Sequence, residues 1–163
     1  MEEKKYAVLI DGDNISSKYL DSILNEMTKY GIATYKRIYC DFTSQQSSKW
    51  RRLVRDSGIQ AMQQFANTVG KNATDSTLII DAMDILYTGN VDGFCIVSSD
   101  GDFTRLAIRL KESGMDVIGM GESKTPRSFR AACTVFTDLE ILYEAESEDD
   151  EISTKGKKPA VKH

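Results

Sequence analysis

Hydrophobic and polar positions along this chain follow two rhythms, and the rhythms take turns. Tyr6–Ile10 is a short continuous apolar run, the pattern of a parallel strand covered on both faces. Ser16–Tyr30 then places Leu20, Ile23, Leu24 and Met27 close to helical spacing, with Gly31 as its stop signal. Ile32–Tyr39, rich in β-branched and aromatic residues, predicts a second strand. Gln45–Ser57 carries Trp50, Leu53 and Val54 and predicts a helix closed by Gly58. The same order continues with a strand at Ile59–Phe65, a polar loop at Asn67–Thr74 and a helix at Asp75–Tyr87. A strand at Phe94–Ser98, a helix at Phe103–Ser113 and a strand at Val117–Met120 follow. A short helix around Ser128–Cys133, a strand at Thr134–Thr137 and a helix near Asp138–Glu144 complete the pattern. Strands and helices alternating through short connections predict an α/β fold, a central parallel sheet with helices on both faces.

The pattern breaks after Glu144. Glu144–Glu151 is nearly all acidic and Ser153–His163 is basic with Gly and Pro, so residues 1–144 read as one domain and 145–163 as a solvated tail or linker. The hydrophobic fraction of 40% and charged fraction of 28% suit a globular domain. No apolar stretch approaches the roughly 18–20 residues of a membrane span, and the N-terminus enters a strand without a signal-peptide core. Cys40, Cys95 and Cys133 are scattered, fitting neither a disulfide framework nor a zinc knuckle, so a reducing, cytoplasmic setting is expected.

Charge and histidine usage narrow the chemistry. A net charge of −4 argues against broad nonspecific duplex binding, although Lys49, Arg51, Arg52 and Arg55 crowd one segment. The single histidine is His163, at the end of the tail, which disfavours Ser-His-Asp, Cys-His and His-ligated zinc chemistry. Catalysis here falls to carboxylates, lysines, hydroxyls and a metal.

Two apolar runs end in the same acidic turn. Ala7-Val8-Leu9-Ile10 enters Asp11-Gly12-Asp13-Asn14, and Phe94-Cys95-Ile96-Val97 enters Ser98-Ser99-Asp100-Gly101-Asp102-Phe103. Ligands of open α/β sheets gather outside the carboxyl ends of the strands, so these acids are expected at one rim. Clustered carboxylates repel unless a cation sits between them, and hard oxygen donors suit Mg²⁺ or Mn²⁺. Asp, Asn and Gly also serve simply as turn and cap residues. Asn14, Ser98 and Ser99 can hydrogen-bond a carboxylate or a substrate phosphate. Lys71-Asn72-Ala73-Thr74-Asp75 adds an acid at a helix start. Gly119–Pro126, with Lys124, supplies glycines, hydroxyls and a cation at a strand exit, without Walker spacing. Lys71 and Lys124 are the candidate phosphate-contacting cations.

In this order the motifs resemble the NYN domain, a branch of the PIN-like nuclease superfamily related to LabA-like proteins. The matching pieces are Val8–Asn14, Lys71–Asp75 with Ile80-Asp81-Ala82, and Val97–Phe103. Gly119–Pro126 is similar to the turn of those NYN proteins that carry a C-terminal OST-HTH (LOTUS) RNA-binding module. The resemblance implies a three-layer, Rossmannoid PIN-like domain with an acidic pocket that binds Mg²⁺ or Mn²⁺ and cleaves RNA phosphodiesters. Carried onto this chain, its metal and catalytic positions fall on Asp11, Asp75, Asp100 and Asp102, with Asn14 as polar companion and Asp13 and Asp81 as further acids. Single-stranded RNA is the expected partner, with a homodimer and an RNA-binding module beyond this chain left open. Two alternatives stand beside it. One is an RNA- or protein-binding module without catalysis. The other is a haloacid-dehalogenase-like phosphatase, echoed by Asp11-x-Asp13 but carrying Ile15 where a hydroxyl residue is expected.

Overall fold

The computed structural model describes residues 3–65 and 73–148, with the side chains of 73–76 left out of the description. Six parallel strands form one sheet: β1 (Lys5–Asp11), β2 (Ile32–Cys40), β3 (Gln60–Gln63), β4 (Gly93–Val97), β5 (Asp116–Gly121) and β6 (Val135–Asp138). Their spatial order is β3-β2-β1-β4-β5-β6. The chain therefore winds one way from β1 to β3 and the other way from β4 to β6, and the direction reverses between β1 and β4. That crevice is where open α/β sheets hold their ligands.

Alternation along the strands builds two cores. Ala7 and Leu9 of β1 and Phe94 and Ile96 of β4 face one side of the sheet. Tyr6, Val8, Ile10, Cys95 and Val97 face the other. The first side is covered by α3 (Ala73–Thr88), α4 (Thr104–Glu112) and α5 (Arg127–Ala132), through Leu78, Ala82, Leu106, Leu110 and Phe129. The second is covered by α1 (Leu20–Met27), α2 (Ser48–Ser57) and a helix over 139–148, through Ile23, Met27, Trp50 and Leu139. The expected layered α/β architecture is present.

Element ends shift for local reasons. The segment expected as one helix over Ser16–Tyr30 begins as a 3₁₀ turn, Ser17–Tyr19, capped by the Ser16 hydroxyl, and α1 stops at Met27. The strand expected over Ile59–Phe65 shortens to Gln60–Gln63, because as an edge strand it pairs only with β2. The terminal helix runs on to residue 148, where Ser22 donates to Glu146. Asn67–Asn72 of the expected polar loop, and the tail beyond 148, lie outside the described residues. Among the described residues no helix is long and apolar enough to cross a membrane.

Candidate active site

Asp11 is the last residue of β1 and is fully buried, an unusual position for a carboxylate. One oxygen, Oδ2, accepts from Asn14 Nδ2 at 2.9 Å and from Ser98 Oγ at 2.8 Å. The other, Oδ1, is buried and has no hydrogen-bond partner. Burial pushes the Asp11 carboxyl up to about 6; the bonds from Asn14 and Ser98 pull it back, while the carboxylates of Asp13 and Asp100 add to the rise. A buried and half-satisfied carboxylate therefore ends β1, the strand that neighbours β4 at the reversal of the sheet.

The turn after β1 is held from several directions. Gly12 N–H donates to the Tyr39 carbonyl at 2.9 Å, and Asn14 and Ile15 N–H groups return to the Asp11 carbonyl. The indole N–H of Trp50, buried on α2, donates to the carbonyls of Gly12 and Ile15. A Cβ on Gly12 would lie 2.7 Å from Ile38 Cγ1, so only glycine lets the turn lie against β2. The exit of β4 is equally tied. Ser98 Oγ, while donating to Asp11, accepts from Asp100 N–H at 3.0 Å. Asp100 Oδ1 accepts from Asp102 N–H at 2.9 Å and caps the turn Gly101–Phe103. Ser99 Oγ accepts from Glu122 N–H at 2.9 Å, joining the exits of β4 and β5.

The structure therefore brings Asp11, Asn14, Ser98 and Asp100 into one hydrogen-bonded group and places Asp13 nearby. It gives Ser98 a bracing role, since its hydroxyl both donates and accepts within the protein, while Ser99 Oγ accepts from Glu122 N–H. Asp102 is exposed and lines a different furrow, between α3 and α4, with Arg105 and Arg109. Lys124 is exposed at the rim and lies 3.8 Å from Glu122. The side chain of Asp75, on α3, and all of Lys71 lie outside the described residues. Asp81 is occupied elsewhere: it pairs with Arg37 at 2.7 Å and accepts from the Tyr39 hydroxyl.

Asp41 was missed by sequence reasoning. It is buried just past β2, its N–H donates to Asp13 Oδ1 at 3.1 Å, and its own Oδ1 accepts from Thr43 and Gln63. An acid directly after Ile38-Tyr39-Cys40 is the same signal that marked Asp11. Glu122 at the exit of β5 is a second addition. It lines a cleft of about 550 Å³ with Asp13, Asn14, Gln45, Lys49 and Trp50.

The donor set is compatible with a hard divalent cation. Among the described residues no three Asp, Glu, Cys or His side chains converge closely enough to ligate an ion alone. Mg²⁺ asks for less, one or two carboxylates with water and substrate phosphate completing its shell. Asp11 Oδ1, unpartnered and buried, together with the neighbouring Asp100, fits that requirement.

Comparison with known proteins agrees with this architecture. A sequence profile described as the NYN domain matches residues 5–140. An uncharacterised protein of Methanocaldococcus jannaschii is 27% identical over 125 residues, 73% of this chain. The match covers 48% of that protein, so the chain spans about half the length of its curated relative. A crystal structure of a protein of unknown function from Vibrio parahaemolyticus superposes with a TM-score of 0.68 at 19% identity, covering 84% of this chain and 93% of that one. That likeness concerns the fold.

Proposed function

The chain belongs to the NYN domain family, within the PIN-like nuclease superfamily, and from that premise we propose that it is a Mg²⁺- or Mn²⁺-dependent ribonuclease acting on single-stranded RNA. The observation that carries this reading is Asp11: a fully buried carboxylate with one oxygen doubly bonded and the other unpartnered, at the reversal point of the sheet. Burying a carboxylate in that state costs stability, and such a cost persists where a functional partner offsets it.

Asp11 and Asp100 would hold the cation, with Asp13 and Asp75 as additional acids and Asp102 as a further candidate. A bound Mg²⁺ or Mn²⁺ supplies an acidified water and braces the oxygens of the phosphodiester being cleaved. The remaining work falls to the protein. Asn14 and Ser98 hold Asp11 through Oδ2, which leaves Oδ1 without a protein partner. Ser98 also fixes the backbone of Asp100 and couples the two strand ends in one geometry. Lys124, at the rim beside Glu122, and Lys71 are the candidate contacts for phosphates away from the cleavage point. With histidine confined to position 163, no imidazole base stands in the described domain, which is consistent with cation-assisted hydrolysis.

The test is cleavage of a labelled single-stranded RNA in Mn²⁺ by the wild type, Asp11→Asn and Asp100→Asn. The expected outcome is cleavage by the wild type that stops in EDTA and falls by about a hundredfold or more in each variant. RNA that is bound but left intact in Mn²⁺ would assign the domain to binding without catalysis.

A further inference from the structure

Charge is distributed unequally around the rim of the sheet. On the β5–β6 side, Glu122, Asp138 and Glu140 all bear on Tyr19, whose hydroxyl burial and these acids push up. Ser123 bonds Asp138 and Glu140 there, which fixes both acids in place. Lys124 lies 3.8 Å from Glu122 and Arg130 4.0 Å from Asp138, so the cations on that side stand beside acids. On the α1–α2 side, the 550 Å³ cleft at Asp13 and Asn14 adjoins a second one of about 370 Å³, and the two share Ser16, Ser17 and Lys49. The second cleft continues outward past Lys18, Asp21, Arg52 and Leu53. Together they form one furrow leading out of the acidic crevice.

We propose that this furrow between α1 and α2, floored by the Asn14–Ser17 turn and edged by Lys18, Lys49 and Arg52, is the track that carries single-stranded RNA to the acids. Lys49 and Arg52 are exposed and have no ion-pair partner among the described residues, a state they share with Arg105 and Lys111 on α4; what sets them apart is that they line the furrow that opens from Asp13 and Asn14. Lys18 is held over the rings of Tyr19 and Tyr143, each centroid 5.2 Å from its ammonium, so the cation is pre-positioned at the furrow edge. Cations of this kind contact phosphates, which positions a strand without reading its bases. The aromatic among the lining residues, Trp50, is 3% exposed and its N–H is committed, so it offers no stacking platform. Gln45, Gln46, Ser16 and Ser48 supply neutral hydrogen-bonding groups along the same wall. Binding is therefore sequence-tolerant and strongly salt-dependent. Two clefts of this size match the lower range of ligand sites and accommodate a short stretch of strand on one side of the cleavage point.

This inference rests on the site being a ribonuclease, and the experiment separates the two. Binding of a fluorescent single-stranded RNA is measured in EDTA against salt concentration, and KM and kcat in Mn²⁺, for the wild type, the double variant Lys49→Ala/Arg52→Ala and the charge-matched control Arg105→Ala/Lys111→Ala on α4. The furrow variant is expected to bind about tenfold more weakly, with its log–log salt slope reduced by about 1.4, roughly 0.7 for each lost phosphate contact. Its KM rises while kcat at saturation is retained, and the control behaves as wild type. A furrow variant that keeps the wild-type KM and salt slope, in a protein that cleaves RNA, overturns the track alone. A wild type that neither binds nor cleaves RNA overturns the proposed activity, and the track with it.

Discussion

A carboxylate with an ordinary value near 3.8 that sits at about 6 in the folded protein holds a proton the unfolded chain has already released between those two values. Asp11 therefore stabilises the fold fully only below about pH 4, and that contribution is lost as pH rises through 6. At neutral pH its ionised form costs on the order of 3 kcal/mol. Asp11→Asn removes that cost, since the amide oxygen can take the bonds from Asn14 and Ser98. The expected result, by urea unfolding in EDTA, is a variant more stable than wild type by about 1–2 kcal/mol at pH 7.5 and a flatter dependence between pH 4 and 6. A variant less stable than wild type at pH 7.5 would assign Asp11 to structure instead. The place of Asp11 at a strand end was legible in the sequence because it closes a continuous apolar run, a position where Asp also serves as a turn residue. The bond from Ser98 was not, because it joins residues 87 positions apart through a strand pairing that no local pattern reports.

Asp81 shows how an acid on an element can belong to packing instead. It lies on α3 and ties that helix to β2 through Arg37 and Tyr39. Asp81→Asn leaves the half-buried guanidinium without its counter-charge, and the expected loss is about 1–3 kcal/mol of stability by thermal or urea unfolding. Cleavage per folded molecule should stay at the wild-type level. Asp11 and Asp81 therefore move in opposite directions, one gaining stability and losing activity, the other losing stability and keeping activity. Element order was readable from the chain throughout, since apolar runs, helical spacing and glycine stops each report local geometry. Ends were less readable. The edge position of β3 trimmed Ile59–Phe65 to four residues, and the Ser16 cap turned the start of the first helix into a tighter turn. Asp102 illustrates the same limit: its neighbour Asp100 caps the turn into α4, which leaves the Asp102 side chain exposed toward Arg105.

At the scale of the whole molecule, six parallel strands and two helical layers exist to bring distant strand exits together. The alternation of elements told the class of fold, but not that β1 and β4 are neighbours, because strand order is set by long-range pairing. Once they are, Asp11, Ser98 and Asp100 meet at the reversal of the sheet, with acids along the β5–β6 rim and the cations Lys18, Lys49 and Arg52 on the Ser17–Tyr19 turn and α2. A cation held at that meeting point is the central claim, and it can be tested without knowing any RNA. Mn²⁺ binding followed by electron paramagnetic resonance at pH 7.5, for the wild type, Asp11→Asn and Asp81→Asn, addresses it directly. The account predicts saturable binding by the wild type and Asp81→Asn and a loss of affinity of about tenfold or more in Asp11→Asn. Binding by Asp11→Asn as tight as that of the wild type would contradict it.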